Sequence, residues 1–173
     1  MNTTDKINAL REGGNIRRFH TWSVHGTHTI AHHSFNAVNL LLVLHPNPSM
    51  NLVKAVQWHD APSELWTGDT PAPAKWHSNG LKEKLRELEL LVNVACETAV
   101  ALTPEEEKWL WAVDKIDLWL WVIEQENLGN KTVKLIHDRL DVAFSQPNRL
   151  PPECVKFVKN YKWKKVNVAE LPE

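Results

Sequence analysis

The sequence predicts an all-α protein, and three features of the chain support that prediction. Apolar residues recur at steps of three and four along most of its length, which is the spacing of one face of an α-helix. Helix-capping signatures precede several of these segments. No alternating strand pattern, internal repeat or low-complexity tract interrupts them. Because a chain of 173 residues has the usual length of one domain, we expect residues 1–173 to form a single helical domain.

The first third of the chain predicts three helices. Residues 4–12 form a short helix that the following Gly-Gly pair is expected to end, because glycine takes left-handed dihedrals without strain. The segment 30–44 predicts a second helix, and the sequence HPNP ends it because proline lacks an amide hydrogen and clashes with the preceding turn. Ser49 is the predicted cap of a third helix over 50–60.

The rest of the chain predicts a loop and four further helices. Residues 62–78 contain three prolines and a glycine, so we expect a loop there. A long amphipathic helix is predicted over 79–101. Thr103 then caps a fifth helix, and Glu106 completes a capping box with it. The segments NKTVKLIHDRLDVAF and PECVKFVKNYKW predict two more helices.

Charge and hydropathy exclude two kinds of partner. The formal net charge is −1, so the chain lacks the broad positive field of a nucleic-acid-binding protein. The longest apolar run is far too short to span a bilayer. The N-terminus has no apolar signal core, which predicts a cytoplasmic protein (in the host cytoplasm for a phage-encoded one). Cys96 and Cys154 lie in apolar helical contexts without CxxC spacing, and we expect buried thiols.

The chain contains two His-Asp pairs, and they have different surroundings. His137-Asp138 lies in a predicted helix with basic neighbours, which is typical of a solvated helix face. His59-Asp60 stands at the end of a helix whose apolar stripe continues into His59, so this histidine is expected to point inward. The dipeptide alone is common and predicts nothing by itself.

Other inward-facing residues indicate a metal site near the second pair. His33 begins the apolar stripe of the helix over 30–44, and Asp114 and Asp117 share the inward face of the fifth helix. Buried carboxylates are costly unless they are paired or bind a metal. Mixed nitrogen and oxygen ligands with open positions suit a divalent metal used for hydrolysis. The alternative is that the histidines are satisfied core residues and an aspartate pairs with a lysine.

The order of four motifs resembles a known family. IAHHS, HDAPSE, TGDTPAPAK and AVDKID resemble the HD-domain phosphohydrolases over about residues 15–125. The Thr-Gly-Asp turn is similar to that of the bacterial 5′-deoxynucleotidases of the YfbR type, whose small phage-encoded relatives include dATP triphosphohydrolases. The resemblance implies a single HD-domain helical bundle. It also implies a metal-dependent enzyme that breaks the bond between the α-phosphorus and O5′ and releases a deoxynucleoside.

Carried over by position, the resemblance implies one divalent transition metal (Co, Mn, Zn or Fe), with additional divalent ions at the phosphates. Its ligands would be His33, His59, Asp60 and Asp114. Asp114 is preferred to Asp117 because the family's helix places its aspartate there.

The resemblance also implies roles in substrate binding and catalysis. Glu64 would orient or deprotonate the attacking water, although one extra residue separates it from the His-Asp pair. Asp69 would lie beside the 5′-oxygen. Arg18 would hold phosphate, and Phe19 stands where the family usually has a tryptophan under the sugar and base.

Three more residues complete the predicted deoxynucleotide site. Lys75 would offset phosphate charge, and Lys115 would meet the outer phosphates, although surface lysines are more often only solvated. Trp22 would form a wall against the sugar. The triphosphate substrate dATP is favoured by likeness to the phage relatives, and dNMP hydrolysis is the alternative. The alternative hypothesis outside the enzymes is a non-catalytic helical binding module whose metal is structural.

Tryptophans predict self-association. Nine tryptophans occur in the chain, and Trp109, Trp111, Trp119 and Trp121 fall on a single predicted helix. Large apolar groups around most of a helix circumference are hard to hide in one small domain. We therefore predict a homo-oligomer.

Overall fold

A computed structural model describes residues 1–78 and 80–163, without the side chains of residues 62–64, 72, 73 and 76. Within these ranges the chain is all-α, as predicted, with one isolated β-bridge between Arg17 and Thr29. The helices are α1 (Thr3–Gly14), α2 (Ile30–Leu44), α3 (Met50–Trp58), α4 (Ala61–Thr67), α5 (Ala72–His77), α6 (Leu81–Cys96), α7 (Pro104–Asn127), α8 (Lys134–Phe144) and α9 (Pro152–Asn160). None of these helices is long and apolar enough to cross a membrane.

The core lies where α2, α3 and α7 pack together. Leu41, Leu52, Val56, Val113 and Ile116 are each fully shielded from solvent there. The second helix has the predicted bounds, because the segment 30–44 presents an uninterrupted apolar stripe to this core. The two predicted caps are also confirmed. The Ser49 side chain accepts the Leu52 amide, and Thr103 forms a capping box with Glu106.

The first helix ends at the glycine pair, but the predicted reason is wrong. Gly13 and Gly14 are the last two residues of α1, neither has a positive φ, and α1 packs on α4 there. A Cβ atom added at Gly13 would stand 1.7 Å from the carbonyl oxygen of Ala61. The glycine is therefore required by the close approach of two backbones, and not by a left-handed turn.

The predicted loop over residues 62–78 is also wrong, because most of it is helical. The short helices α4 and α5 occupy it, and Pro62 and Pro73 are the second residues of these helices. Proline is tolerated in the first turn because the amide hydrogen it lacks would have no intrahelical partner there. The helix predicted over 79–101 ends earlier, at Cys96, since Glu97 adopts a left-handed φ of 56°.

The tryptophans do not support self-association. Trp109, Trp119 and Trp121 are buried within one chain, with 4%, 7% and 7% of their surface exposed, and Trp111 is half-buried. The surrounding helices therefore cover three of the four tryptophans that were expected to need a second subunit. The homo-oligomer stays a prediction that light scattering can test. Both cysteines are free and buried, as predicted.

Candidate metal centre and adjoining cavity

Two histidines from different helices meet at the centre of the molecule. His33 lies in the first turn of α2 and is fully buried, and His59 is the C-cap residue that directly follows α3. Their Nε2 atoms are 3.0 Å apart. The other nitrogen of each ring is held, since His33 Nδ1 lies 2.6 Å from Asp117 Oδ2 and His59 Nδ1 lies 2.8 Å from the Val56 carbonyl oxygen.

These outer contacts determine where the ring protons are. A carbonyl oxygen only accepts, so His59 Nδ1 donates to Val56, and a neutral His59 has a bare lone pair at Nε2. The same argument applies to His33, whose Nδ1 faces the Asp117 carboxylate. Two lone pairs 3.0 Å apart repel each other. The arrangement therefore requires a cation between the rings, either a proton or a metal ion.

Two carboxylates converge on the same point. Asp60 Oδ2 lies 3.7 Å from His33 Nε2 and 3.5 Å from His59 Nε2. Asp114 Oδ1 lies 3.3 Å from His33 Nε2 and 3.9 Å from His59 Nε2. Metal–ligand bonds of about 2.1 Å at angles of 90–110° place neighbouring ligand atoms about 3.0–3.4 Å apart. The separations of His33 Nε2 from His59 Nε2 and from Asp114 Oδ1 fall in this range, and the other three distances are wider by up to about 0.5 Å. The donor set and the fixed outer nitrogens suit a divalent metal ion.

The protonation of the cluster agrees with a cation at its centre. Burial and Arg18 lower the pKa of His33, but hydrogen bonds with Asp114 and Asp117 outweigh them and raise it above its usual value. Burial opposes ionisation of Asp60, yet His59, Arg18 and His33 lower its pKa. Burial likewise opposes ionisation of Asp114, but Lys115 and the two histidines hold its pKa well below the usual range. The surroundings thus favour ionised carboxylates at Asp60 and Asp114 and a proton on His33, which a metal ion would displace.

A cavity of about 550 Å³ is lined by Lys115, which pairs with Asp114 of this cluster, although none of the four ligand candidates lines it. It brings together every residue that the sequence predicted for the substrate and whose side chain is described, namely Arg18, Phe19, Trp22, Asp69, Lys75 and Lys115. Lys115 connects the cavity to the cluster, since its Nζ lies 2.6 Å from Asp114 Oδ2. The side chain of Glu64 lies outside the described part of the chain, although its backbone belongs to α4.

Arg18 acts electrostatically on the cluster and lines the cavity. Its positive charge lowers the pKa of His33 and of Asp60, and its side chain is part of the cavity wall. Its Nη1 atom is buried and has no hydrogen-bond partner among the described residues. A buried guanidinium nitrogen without an acceptor loses hydration that an oxyanion would replace. Arg18 is therefore suited to bind an anionic group of a ligand.

Sequence reasoning missed one wall of the cavity. Ile136, Arg139, Leu140 and Ala143 of α8 line it, together with Trp111 and Leu118 of α7. Arg139 is predicted to lie on a solvated face beside His137-Asp138, and it is exposed as predicted, although its side chain also borders the cavity. The apolar stripe at 136, 140 and 143 was the available signal, because it shows which face of α8 packs inward.

The fold occurs in solved structures. The chain is similar to an HD-domain phosphohydrolase from Listeria innocua, with a TM-score of 0.73, 20% identity and coverage of 92% of this chain and 87% of that one. A conserved hypothetical protein from Pyrococcus furiosus is also similar, with a TM-score of 0.64, 19% identity and coverage of 91% and 97% respectively. No protein-family model and no curated protein matches the sequence.

These likenesses identify the fold class. The chain has the helical fold of an HD-domain phosphohydrolase. The likeness of fold extends over nearly the whole chain and is accompanied by a His/Asp cluster able to hold a metal ion.

Proposed function

We propose that the protein is a metal-dependent phosphohydrolase that acts on deoxynucleotides. The observation that carries this proposal is the convergence of two imidazole nitrogens and two carboxylate oxygens beside a cavity with basic side chains. The shared fold with an HD-domain phosphohydrolase supports the reaction class. The substrate and the residue roles are our own inference.

The metal would be held by His33, His59, Asp60 and Asp114. The mixed nitrogen and oxygen set suits Zn, Mn, Fe or Co. When bound, such an ion polarises a phosphoryl oxygen and lowers the pKa of water at an open position. Asp117 would orient His33 through Nδ1, and the Val56 carbonyl does the same for His59.

The basic residues of the cavity would bind phosphate. Arg18 offers a buried guanidinium that can grip two oxygens at once, and Lys75 and Lys115 add point charges. Arg139 adds a fourth cation on the α8 side. Asp69 is the acidic residue among the lining side chains. Lys115 is already paired with Asp114, but the other three cations outnumber Asp69, which favours a triphosphate over a monophosphate. Additional divalent ions would also bind at the phosphates.

Glu64 would orient the attacking water as the general base. This role rests on the resemblance of HDAPSE to the family motif, and on the position of α4 directly after the His-Asp pair. Attack at the α-phosphorus with departure of O5′ gives a deoxynucleoside and triphosphate from dATP. From dAMP, the alternative substrate, it gives the same nucleoside and phosphate.

The cavity also supplies an apolar part for the nucleoside. Phe19, Trp22, Leu118 and Leu140 are among the residues that line it. Aromatic side chains stack on bases for roughly 1–3 kcal/mol per base. A wall packed against C2′ leaves a ribose hydroxyl without room or a partner, so we expect deoxynucleotides to be preferred.

The test compares dATP, dAMP, ATP and AMP as substrates, with added Mn²⁺ or Co²⁺ and with products resolved by chromatography. We expect intact deoxyadenosine from dATP together with triphosphate, and slower turnover of ATP. Phosphate from dAMP alone would establish the nucleotidase alternative. Turnover of none of the four, with metal still bound, would favour a binding module whose metal is structural. His59→Ala should be inactive and His137→Ala fully active.

A further inference from the structure

A segment of residues 15–29, here called the substrate arm, joins α1 to α2 and carries Arg18 and Phe19. Its base is a short antiparallel pairing, in which the Arg18 amide donates to the His28 carbonyl at 2.9 Å. Farther along, the amide of His25 donates to Gln125 Oε1 at 2.8 Å, and Gln125 Nε2 donates back to the His25 carbonyl at 3.0 Å. The arm is therefore tethered to the body of the molecule at separate points.

Phe19 has an unusual backbone conformation within this arm. Its φ is 57°, in the left-handed region that bulky residues rarely adopt. The amide of Phe19 donates to Asp69 Oδ2 at 2.8 Å, across 50 positions of sequence. The Phe19 carbonyl accepts the Trp22 amide at 2.9 Å, which closes a turn. The long-range tether to this strained residue comes from Asp69, in the turn between α4 and α5.

The conformation of Phe19 determines the position of two groups in the cavity. The Phe19 ring stacks on Trp121 with a centroid distance of 4.0 Å and an angle of 10°. The Arg18 guanidinium lies 5.4 Å from the centre of the same ring. A change of φ at Phe19 would redirect the ring and the adjoining residue together. Both side chains line the cavity beside the metal centre.

We propose that Asp69 is a positioning residue, which holds Phe19 in its left-handed conformation and thereby places Arg18 and the Phe19 ring for substrate. This inference rests on the proposed function for its kinetic consequence. It differs from the role beside the 5′-oxygen that the family resemblance implies. A residue that places the arm governs the affinity for substrate, whereas a residue beside the leaving oxygen governs the rate of the chemical step.

Two substitutions of Asp69 separate these roles. The side-chain oxygen of Asp69→Asn still accepts the Phe19 amide, but an amide cannot exchange a proton with a leaving group. We expect Asp69→Asn to keep kcat and KM within about threefold, and Asp69→Ala to raise KM by about tenfold or more with a smaller change in kcat. Asp138→Ala, at an exposed aspartate of α8, is the matched control and should change neither constant. An equal, large loss of kcat in both Asp69 variants, with KM unchanged, would overturn the proposal.

A double-mutant cycle with Phe19→Gly tests the backbone argument. Glycine adopts positive φ without strain, so a chain with glycine at position 19 has less need of Asp69. We expect Asp69→Ala to raise KM by no more than about twofold in the Phe19→Gly background. A loss as large as in the unmodified chain would show that Asp69 does not act through this conformation.

Hydrogen exchange provides a readout that does not depend on turnover. The amide of Phe19 should exchange slowly in the unmodified protein and in Asp69→Asn, and quickly in Asp69→Ala, while the amide of His25 stays protected in all three. This result would support the positioning role even if no nucleotide were hydrolysed and the proposed function failed. Equal protection of the Phe19 amide in all three proteins would overturn it.

Discussion

The two His-Asp pairs share a dipeptide and differ in everything around it. In the His59-Asp60 pair, His59 Nε2 lies 3.0 Å from His33 Nε2, and the Asp60 carboxylate lies 3.7 Å from that His33 nitrogen. In the other pair the two side chains bind separate partners. His137 Nδ1 lies 2.8 Å from Glu126, and Asp138 pairs with Lys134 at 2.7 Å on an exposed surface.

The difference arises from where each pair stands on its helix. His137 and Asp138 lie within α8, where successive side chains point about 100° apart around the axis and cannot converge. His59 ends α3, and α4 begins at Ala61, so the chain turns at this pair. A turn lets neighbouring side chains approach one point from the same side. Termination of a helix, more than the dipeptide itself, permits a metal site here.

The largest expected difference between the pairs is in metal content and activity. We expect His33→Ala, His59→Ala and Asp60→Ala to lose the bound metal and about a thousandfold or more in rate, because the ion supplies several kcal/mol to the transition state. His137→Ala should retain both. Elemental analysis and hydrolysis assays on each purified variant provide the measurement. A His59→Ala protein with full metal and full rate would refute the ligand assignment.

Two aspartates of α7 allow a finer test of the same cluster. Asp114 Oδ1 faces His33 Nε2 at 3.3 Å, and Asp117 Oδ2 faces Nδ1 of the same ring at 2.6 Å. We therefore expect Asp114→Asn to remove metal binding, and Asp117→Asn to weaken it by about 10–100-fold, as is usual for residues that orient a ligand. Metal titration with a competing chelator measures both constants. If Asp117→Asn loses the metal and Asp114→Asn keeps it, the assignment is reversed.

Local signals in the sequence predicted local structure well. The bounds of α2 and the caps at Ser49 and Thr103 depend on residues within a few positions of each other, and all are confirmed. Apolar periodicity predicted that three of the four ligand candidates, His33, His59 and Asp114, face inward, and the family resemblance added Asp60; the structure brings all four together. Inward direction is a local property of an amphipathic helix, so a single sequence is enough to predict it.

Features that depend on tertiary contact could not be predicted in this way. The prolines of residues 62–78 are compatible with a loop and equally with the first turns of two short helices. Arg139 was missed because its place in the cavity depends on which neighbour α8 packs against. Gly13 was misinterpreted because the close contact with Ala61 belongs to a helix 48 positions away, and no local pattern records it.

That close contact provides a smaller test of what holds the first pair in place. Ala61 follows Asp60, and a methyl group at Gly13 would clash with the Ala61 carbonyl oxygen at 1.7 Å. We expect Gly13→Ala to lower the free energy of unfolding by about 1–3 kcal/mol through overpacking. It should also weaken metal binding, because α4 must move. Urea denaturation of the apoprotein and metal titration measure the two effects.

The neighbouring glycine is the matched control. A Cβ atom at Gly14 would meet the Ala31 methyl group at 3.4 Å, an ordinary contact distance. Gly14→Ala should therefore be neutral or stabilise the helix by up to about 1 kcal/mol. If the two substitutions had equal effects on stability and metal affinity, the close contact between α1 and α4 would not be what holds the His59-Asp60 pair in place.

The smallest expected effect concerns the second pair. Asp138 and Lys134 form an exposed ion pair, and exposed pairs of this kind contribute little to stability because water and salt screen them. Hydrogen bonding to Asp138 raises the pKa of Lys134 above its usual 10.5, so the pair is fully formed at neutral pH and is lost only as the pH rises through that raised value. We expect Asp138→Asn at pH 7 to leave the urea midpoint, the metal content and the activity unchanged within error. Asp60→Asn, the same chemical change in the first pair, should remove the metal. If Asp138→Asn lost metal or activity, the contrast between the pairs would fail, because the second pair would then contribute to the site.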